Sequence, residues 1–217
     1  MITTAQLKEK VRQLINEAAS DTDVTLLADD TRNIDEHIEA LLPDAVLFVQ
    51  INSDRCGLNP KGISIETDEI YTEDSCGSIV LPDDFVRLVS FDVEGWGRPC
   101  TVLYPADSPV ALAQSNLYTR AGCCKPVCIE SIGGNGKRRL RFYPLPSGSS
   151  PSLRSFVYEA VYRQGGSLSG NDEALIKAVA YRCAALLYNV FEKNDSANAF
   201  FAISAALCSS NQTNKNE

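Results

Sequence analysis

Residues 154–192 read RSFVYEAVYRQGGSLSGNDEALIKAVAYRCAALLYNVFE, and the hydrophobic period changes inside this one stretch. From Arg154 to Tyr162 it is two. Phe156, Tyr158, Ala160 and Tyr162 fall on one side and Val157, Glu159 and Val161 on the other, the pattern of a strand. From Asp172 to Glu192 it is that of a helix. Leu175, Val179, Cys183, Leu186 and Val190 lie on one line, and Ile176, Ala180, Leu187 and Phe191 widen it to a broad apolar stripe. Asn171 is the expected N-cap, with Asp172 and Glu173 behind it in the first turn. A turn at Lys193-Asn194-Asp195 leads into a last helix over about Ser196–Ser209, followed by the polar tail NQTNKNE.

Upstream of this switch, the period of two holds back to about residue 62. GISIE, SIVLP, FVRLVSFDVEG, RPCTVLYP, KPVCIES and RRLRFYPLP read as short strands before RSFVYEAVYR. Turn signals separate them at Glu94–Gly97, Gly133–Gly136 and Pro144–Pro151. An antiparallel sheet of five to seven strands is expected, closed as a small sandwich or barrel. Further upstream the helical period returns. Leu7, Val11, Leu14, Ile15 and Ala18 share a face of a helix over 4–19, capped by Thr3 or Thr4. Ile34, Ile38, Leu41, Leu42, Ala45, Phe48 and Val49 share a face of a second helix over about 33–52, which Pro43 should kink or restart. Neither helical pair can bury its broad face alone. The expected fold class is therefore α+β: a helical bundle from the N- and C-terminal segments, 1–60 and 165–217, with an antiparallel β section inserted at 61–164. Leu14, Ile38, Leu175, Val179 and Leu186 are expected core positions.

With 217 residues, 44% of them hydrophobic and 22% charged, the chain can build a core without staples. It has no apolar run long enough to span a membrane, and its charged, amphipathic start lacks the apolar segment of a signal peptide. Synthesis and residence in a cytoplasm are expected. The eight cysteines are then expected as reduced thiols, several of them acting as small buried hydrophobes. The net charge of −8 is unevenly spread. Residues 1–95 hold 20 acidic and 7 basic side chains, a net of −13, and residues 96–217 hold 8 and 13, a net of +5. That polarity suits contact between identical copies, and it equally describes solvated surface charge.

The motifs that could carry chemistry read more simply as structure. His37 is the only histidine, on an acidic helix, and no nucleophile elbow or cysteine-protease signature accompanies it. Cys123, Cys124 and Cys128 lack the second ligand pair that a zinc site needs. Gly133-Gly134-Asn135-Gly136-Lys137 is followed by Arg138 and a strand, not by a Ser or Thr and a helix, so it reads as a hairpin turn rather than a phosphate loop. No catalytic, cofactor-binding or metal-binding residue is assigned, and no cofactor is expected. Two charged groups remain as candidate contacts with partners or between subunits. Lys137, Arg138, Arg139, Arg141 and Arg154 are basic. Glu66, Asp68, Glu69, Glu73 and Asp74 form a dense acidic run that does not match a calcium loop.

Three stretches carry a family resemblance: the opening helix with the acidic helix ending LLPDAVLFVQ; SIVLPDDFVRLVSFDVEGWGRPC followed by ALAQSNLYTRAGCCKPVC; and DEALIKAVAYRCAALLYNVFEKNDSANAFFAISAAL. Together they resemble the head–tail adaptor, or connector, proteins of tailed bacteriophages, especially short-tailed and crAss-like ones. An LP-x-DF-x-RL strand leading to a Trp hairpin is common in such proteins. The resemblance implies a non-enzymatic virion protein at the capsid–tail junction. It implies a homo-oligomeric ring, commonly a dodecamer, whose partners are the portal protein, tail or nozzle ring proteins and further copies of itself, with DNA passing non-specifically through the lumen. No membrane partner is expected. The alternative, from the residues alone, is a cytosolic ligand- or partner-binding module with an antiparallel β core.

Overall fold

A computed structural model describes residues 2–19, 31–54, 57–65, 69–73, 75–146, 151–170 and 172–209. It is a mixed α+β structure that divides into two compact units, 1–59 with 161–217 and 60–160.

The first unit is helical. It holds α1 (Thr4–Ala19), α2 (Thr31–Asn52), α4 (Glu173–Val190) and α5 (Asn194–Ser209). Thr3 caps α1 by accepting from the Gln6 N–H at 3.2 Å, while the Gln6 side chain accepts from the Thr3 N–H at 3.0 Å, a reciprocal capping box. Leu7, Val11 and Ile15 of α1 meet Ile38, Leu42, Ala45, Val46 and Val49 of α2 and Leu175, Val179, Cys183 and Leu187 of α4 in one core. Lys8 pairs with Glu39 and Arg12 with Asp35, four residues on in α1 and four back in α2, so these two helices run antiparallel. α4 is buried on several sides, and its Ala178, Ala180, Ala184 and Ala185 let neighbours approach closely.

Three expectations for this unit change. α2 continues through Pro43 without restarting; Leu42, Ala45 and Val46 on either side are fully buried, and that packing outweighs the missing N–H. Asp172, not Asn171, caps α4: its carboxylate accepts from the N–H groups of Ala174 and Leu175, and Asn171 lies outside the described residues. Leu186 and Leu14 are only partly buried, whereas Ile38, Leu175 and Val179 are fully so. α4 ends in a Schellman motif. Lys193 N–H reaches the Tyr188 carbonyl, Glu192 N–H reaches that of Asn189, and Glu192 itself takes φ 59° where glycine is usual.

Among the described residues the second unit holds eight strands and one short helix: β1 (Pro60–Ile63), β2 (Tyr71–Glu73), β3 (Cys76–Val80), β4 (Phe85–Val93), β5 (Leu103–Pro105), α3 (Pro109–Ala113), β6 (Val127–Ile132), β7 (Arg138–Tyr143) and β8 (Leu153–Ala160). They form two sheets, the sandwich alternative of the expected section, in the orders β1-β8-β4 and β2-β3-β7-β6-β5. The larger sheet is not wholly antiparallel, because β5 pairs with β6 in parallel. Parallel neighbours need a long crossover, and residues 106–126, containing α3, supply it.

The two sheets face each other across an aromatic core. Phe91 is fully buried, with ring centroids of Trp96, Phe142 and Phe156 at 5.8, 5.2 and 5.6 Å. β4 buries Phe85, Leu88 and Phe91, a spacing of three that no regular strand could turn to one face. Register shifts between Phe85 and Arg87 and between Leu88 and Ser90 correct the phase. Gly77, opposite Phe142, is required: a Cβ there would lie 2.1 Å from that ring.

The LP-x-DF-x-RL motif is absorbed by this core. Leu81, Phe85 and Leu88 are buried in it. Asp84 accepts from Lys61 Nζ at 2.7 Å and from the Tyr158 hydroxyl at 2.8 Å, and Arg87 donates to the fully buried Glu159 at 3.0 Å. Burial opposes ionisation of Asp84, but those two donors hold its carboxyl below the usual range.

Candidate functional site

Strand β7 divides the basic candidates. Its Leu140 and Phe142 point into the aromatic core, so Arg138 points to the same side at the rim. There it donates to Glu130 Oε1 at 2.6 Å and to the Phe85 carbonyl at 3.2 Å, and its guanidinium lies 5.3 Å from the Phe85 ring. Arg139 and Arg141 take the opposite face. Arg139 lies over the Tyr71 ring at 4.8 Å, and Arg141 donates to the Cys76 sulfur at 3.4 Å. Lys137 is exposed in the hairpin turn, where Gly136 takes φ 75°. Arg154 lies in the other sheet, bonded to Asp92 at 2.8 Å. The five basic residues thus do not form one patch.

Of the acidic candidates, Glu66, Asp68 and Asp74 lie outside the described residues. Glu69 is exposed beside a groove lined also by Ile63, Ile65, Ile79, Leu81 and Pro82, with a volume of about 550 Å³. The hydrogen bond to Cys76 raises the pKa of Arg141 most, and Glu73, exposed on β2, adds a small electrostatic contribution in the same direction. One acidic and one basic candidate therefore act on each other electrostatically within a single chain, without an ion pair.

The crossover 106–126, part of a stretch that carries the family resemblance, holds a surface not among the candidate contacts read from the sequence. Leu112, Leu117 and Tyr118 are 65%, 74% and 94% exposed. They are not on a loose loop. Ser108 caps α3 by accepting from Ala111 N–H. Gln114, itself buried, donates to the Val110 carbonyl at 2.9 Å and accepts from Ala121 N–H at 2.8 Å. Thr119 Oγ1 donates to the Ala113 carbonyl, Asn116 Oδ1 accepts from Tyr118 N–H, and Arg120 Nε donates to the Gln114 carbonyl at 2.9 Å. Beneath the crossover, Ala111 and Ala121 pack on Cys76, Ile129 and Tyr143. A polar scaffold thus presents three large apolar side chains to solvent. The sequence signal was present in SNLYTR, whose apolar residues fit neither a strand nor a helix period.

The cysteines separate by environment. Cys123 and Cys124 are exposed, while Cys128 is buried in β6. Among the described residues no group of three His, Cys, Asp or Glu side chains is placed to hold a metal ion. His37 is half-buried, edge-on to the Phe191 ring at 6.2 Å. Cys100 accepts a hydrogen bond from the Cys128 thiol, and that bond, outweighing burial, brings Cys100 down to about 6; burial and the same bond push Cys128 well above its usual value. The sign is that of an acid with a depressed folded-state pKa. The contribution of Cys100 to stability is present above the unfolded thiol's pKa and is lost as pH falls through about 6, whereas Cys128, shifted up, works the other way and costs stability as pH rises above the unfolded thiol's pKa. Replacing Cys128 by Ala removes the donor. The alkylation rate of Cys100, followed by peptide mass spectrometry against pH, should then rise only at higher pH. An unchanged profile would show that Cys128 does not tune it.

Among the described residues no helix is long and apolar enough to cross a membrane. Compared with known protein families and with curated proteins, the chain matched neither a family nor an individual relative.

Proposed function

We propose that this protein acts by binding other protein chains, as a non-enzymatic head–tail adaptor of a tailed bacteriophage at the capsid–tail junction. The observation that supports this reading best is the rigid apolar tip Leu112, Leu117 and Tyr118, exposed on a scaffold of side-chain hydrogen bonds. A monomer that worked alone would gain nothing from ordering those residues toward water. In the ring, the helical bundle of the N- and C-terminal segments forms the body that frames the β section. The β section meets the portal or a tail protein, and DNA passes through the lumen. The tip seats in a neighbouring chain. Contacts between copies also use the split of charge along the chain, with Lys137 an exposed basic side chain on the β7 hairpin.

The test is association with the portal protein encoded by the same genome, followed by light scattering. A complex with a fixed number of copies per portal ring, with a Kd of about 1 μM or tighter, is expected. No mass change at concentrations well above that would overturn the adaptor reading. The groove of about 550 Å³ lined by Ile63, Ile65, Ile79 and Leu81 favours a second reading, a ligand- or partner-binding module with a β core.

A further inference from the structure

We propose that the cleft enclosed by β3, β7 and the 106–126 crossover, with Arg120 and Arg141 on its walls, binds a tetrahedral oxyanion of the phosphate class. This goes beyond the adaptor reading and does not depend on it. The cleft has a volume of about 340 Å³ and is lined by Glu73, Ser75, Cys76, Ala111, Gln114, Ser115, Arg120, Arg141 and Tyr143.

The two guanidinium groups reach it from different elements. Among the described residues neither makes an ion pair. Arg120 donates to the Gln114 carbonyl and the Ser75 hydroxyl, and Arg141 donates to the Cys76 thiol, a weak acceptor. Most of the five donors on each group are left over. Both side chains are held before any ligand arrives. Gln114, 4% exposed, fixes the crossover that carries Arg120, while Arg141 lies 5.8 Å from the Tyr143 ring.

The remaining donors suit the same ligand. Ser75 and Tyr143 line the cleft with hydroxyls, and the Ser75 hydroxyl, which accepts from Arg120, keeps its own proton to donate. A single guanidinium fork satisfies the two oxygens of a carboxylate. Two forks and two hydroxyls converging from different sides call for an anion with more than two oxygens in three dimensions. Glu73 is the one carboxylate among the described lining residues, and it sits exposed against two cations. An anion bridging Arg120 and Arg141 would also tie the crossover to the sheet beneath it.

Inorganic phosphate titrated into the full chain by calorimetry, at constant ionic strength with chloride as control, should bind saturably with one anion per chain and a Kd of about 1 mM or tighter. Hydrogen exchange within 106–126 should slow as the site fills. Arg141→Met should weaken binding at least about tenfold, and Arg141→Lys should weaken it too, because it keeps charge but loses the fork. Circular dichroism checks the fold of each variant; should Arg141→Met not fold, Arg120→Lys takes its place. A dinucleotide carrying a terminal phosphate that binds more tightly than inorganic phosphate would identify the source as a nucleotide end, and equal binding would identify the free ion. Phosphate no better than chloride, an unphosphorylated dinucleotide binding as well as the phosphorylated one, or full binding by the folded arginine variants would overturn the proposal.

Discussion

Replacing Phe91 by Ala is expected to destabilise the β unit by about 3–5 kcal/mol. Phe91 is fully buried, touches three other rings, and its backbone exchanges two hydrogen bonds with Cys100, so its side chain cannot be replaced by local collapse. The loss combines the transfer of a large side chain with a cavity that the two sheets cannot close. Trp96, the only tryptophan of the chain, lies in this same cluster, so its fluorescence reports on this unit. In urea, the fluorescence midpoint should fall by about 1 M or more. Far-ultraviolet dichroism, dominated by the helices, reports on the other unit. A midpoint shift worth less than about 1 kcal/mol would mean that the aromatic cluster is not the core of the β unit.

Replacing both Leu117 and Tyr118 by Asp is expected to leave folding within about 0.5 kcal/mol of the parent and to weaken association with the portal by about a hundredfold or more. Both side chains are largely exposed, so the folded chain loses little packing. At an interface the same change buries two carboxylates where apolar anchors belong, and desolvating unpaired charge is costly. Light scattering on the mixture reads the association, and thermal unfolding of the variant alone reads the fold. Association unchanged from the parent would remove the tip from the interface. Loss of folding together with association would mean that the two side chains stabilise the crossover instead.

Much of the architecture was legible because two periods dominate it. The alternation in RSFVYEAVYR puts Phe156, Tyr158, Ala160 and Tyr162 inside, and the helical stripes of α1, α2 and α4 name most of the helical core. Legibility failed where a local irregularity or a long-range choice decided the outcome. Which strands share a sheet, and a parallel pair rather than a hairpin, depend on where a crossover returns, which local periodicity does not encode. The bulges of β4 hid a spacing of three inside a strand. Among the candidate contacts, the basic run at 137–141 looked like a patch because it is contiguous, yet a strand sends Arg138 and Arg139 to opposite faces. The arginine-lined cleft joins Ser75, Arg120 and Arg141, which are far apart in the chain and form no motif. The LP-x-DF-x-RL motif, by contrast, holds the β unit together through Asp84 and Arg87 and says little by itself about partners.

Electron microscopy of the complex formed on mixing the protein with its portal tests the assembly most directly. A closed ring on the portal is expected, with Leu117 and Tyr118 of each copy enclosed by a neighbouring chain. Single copies bound without a ring, or a ring in which those two side chains face solvent, would contradict it.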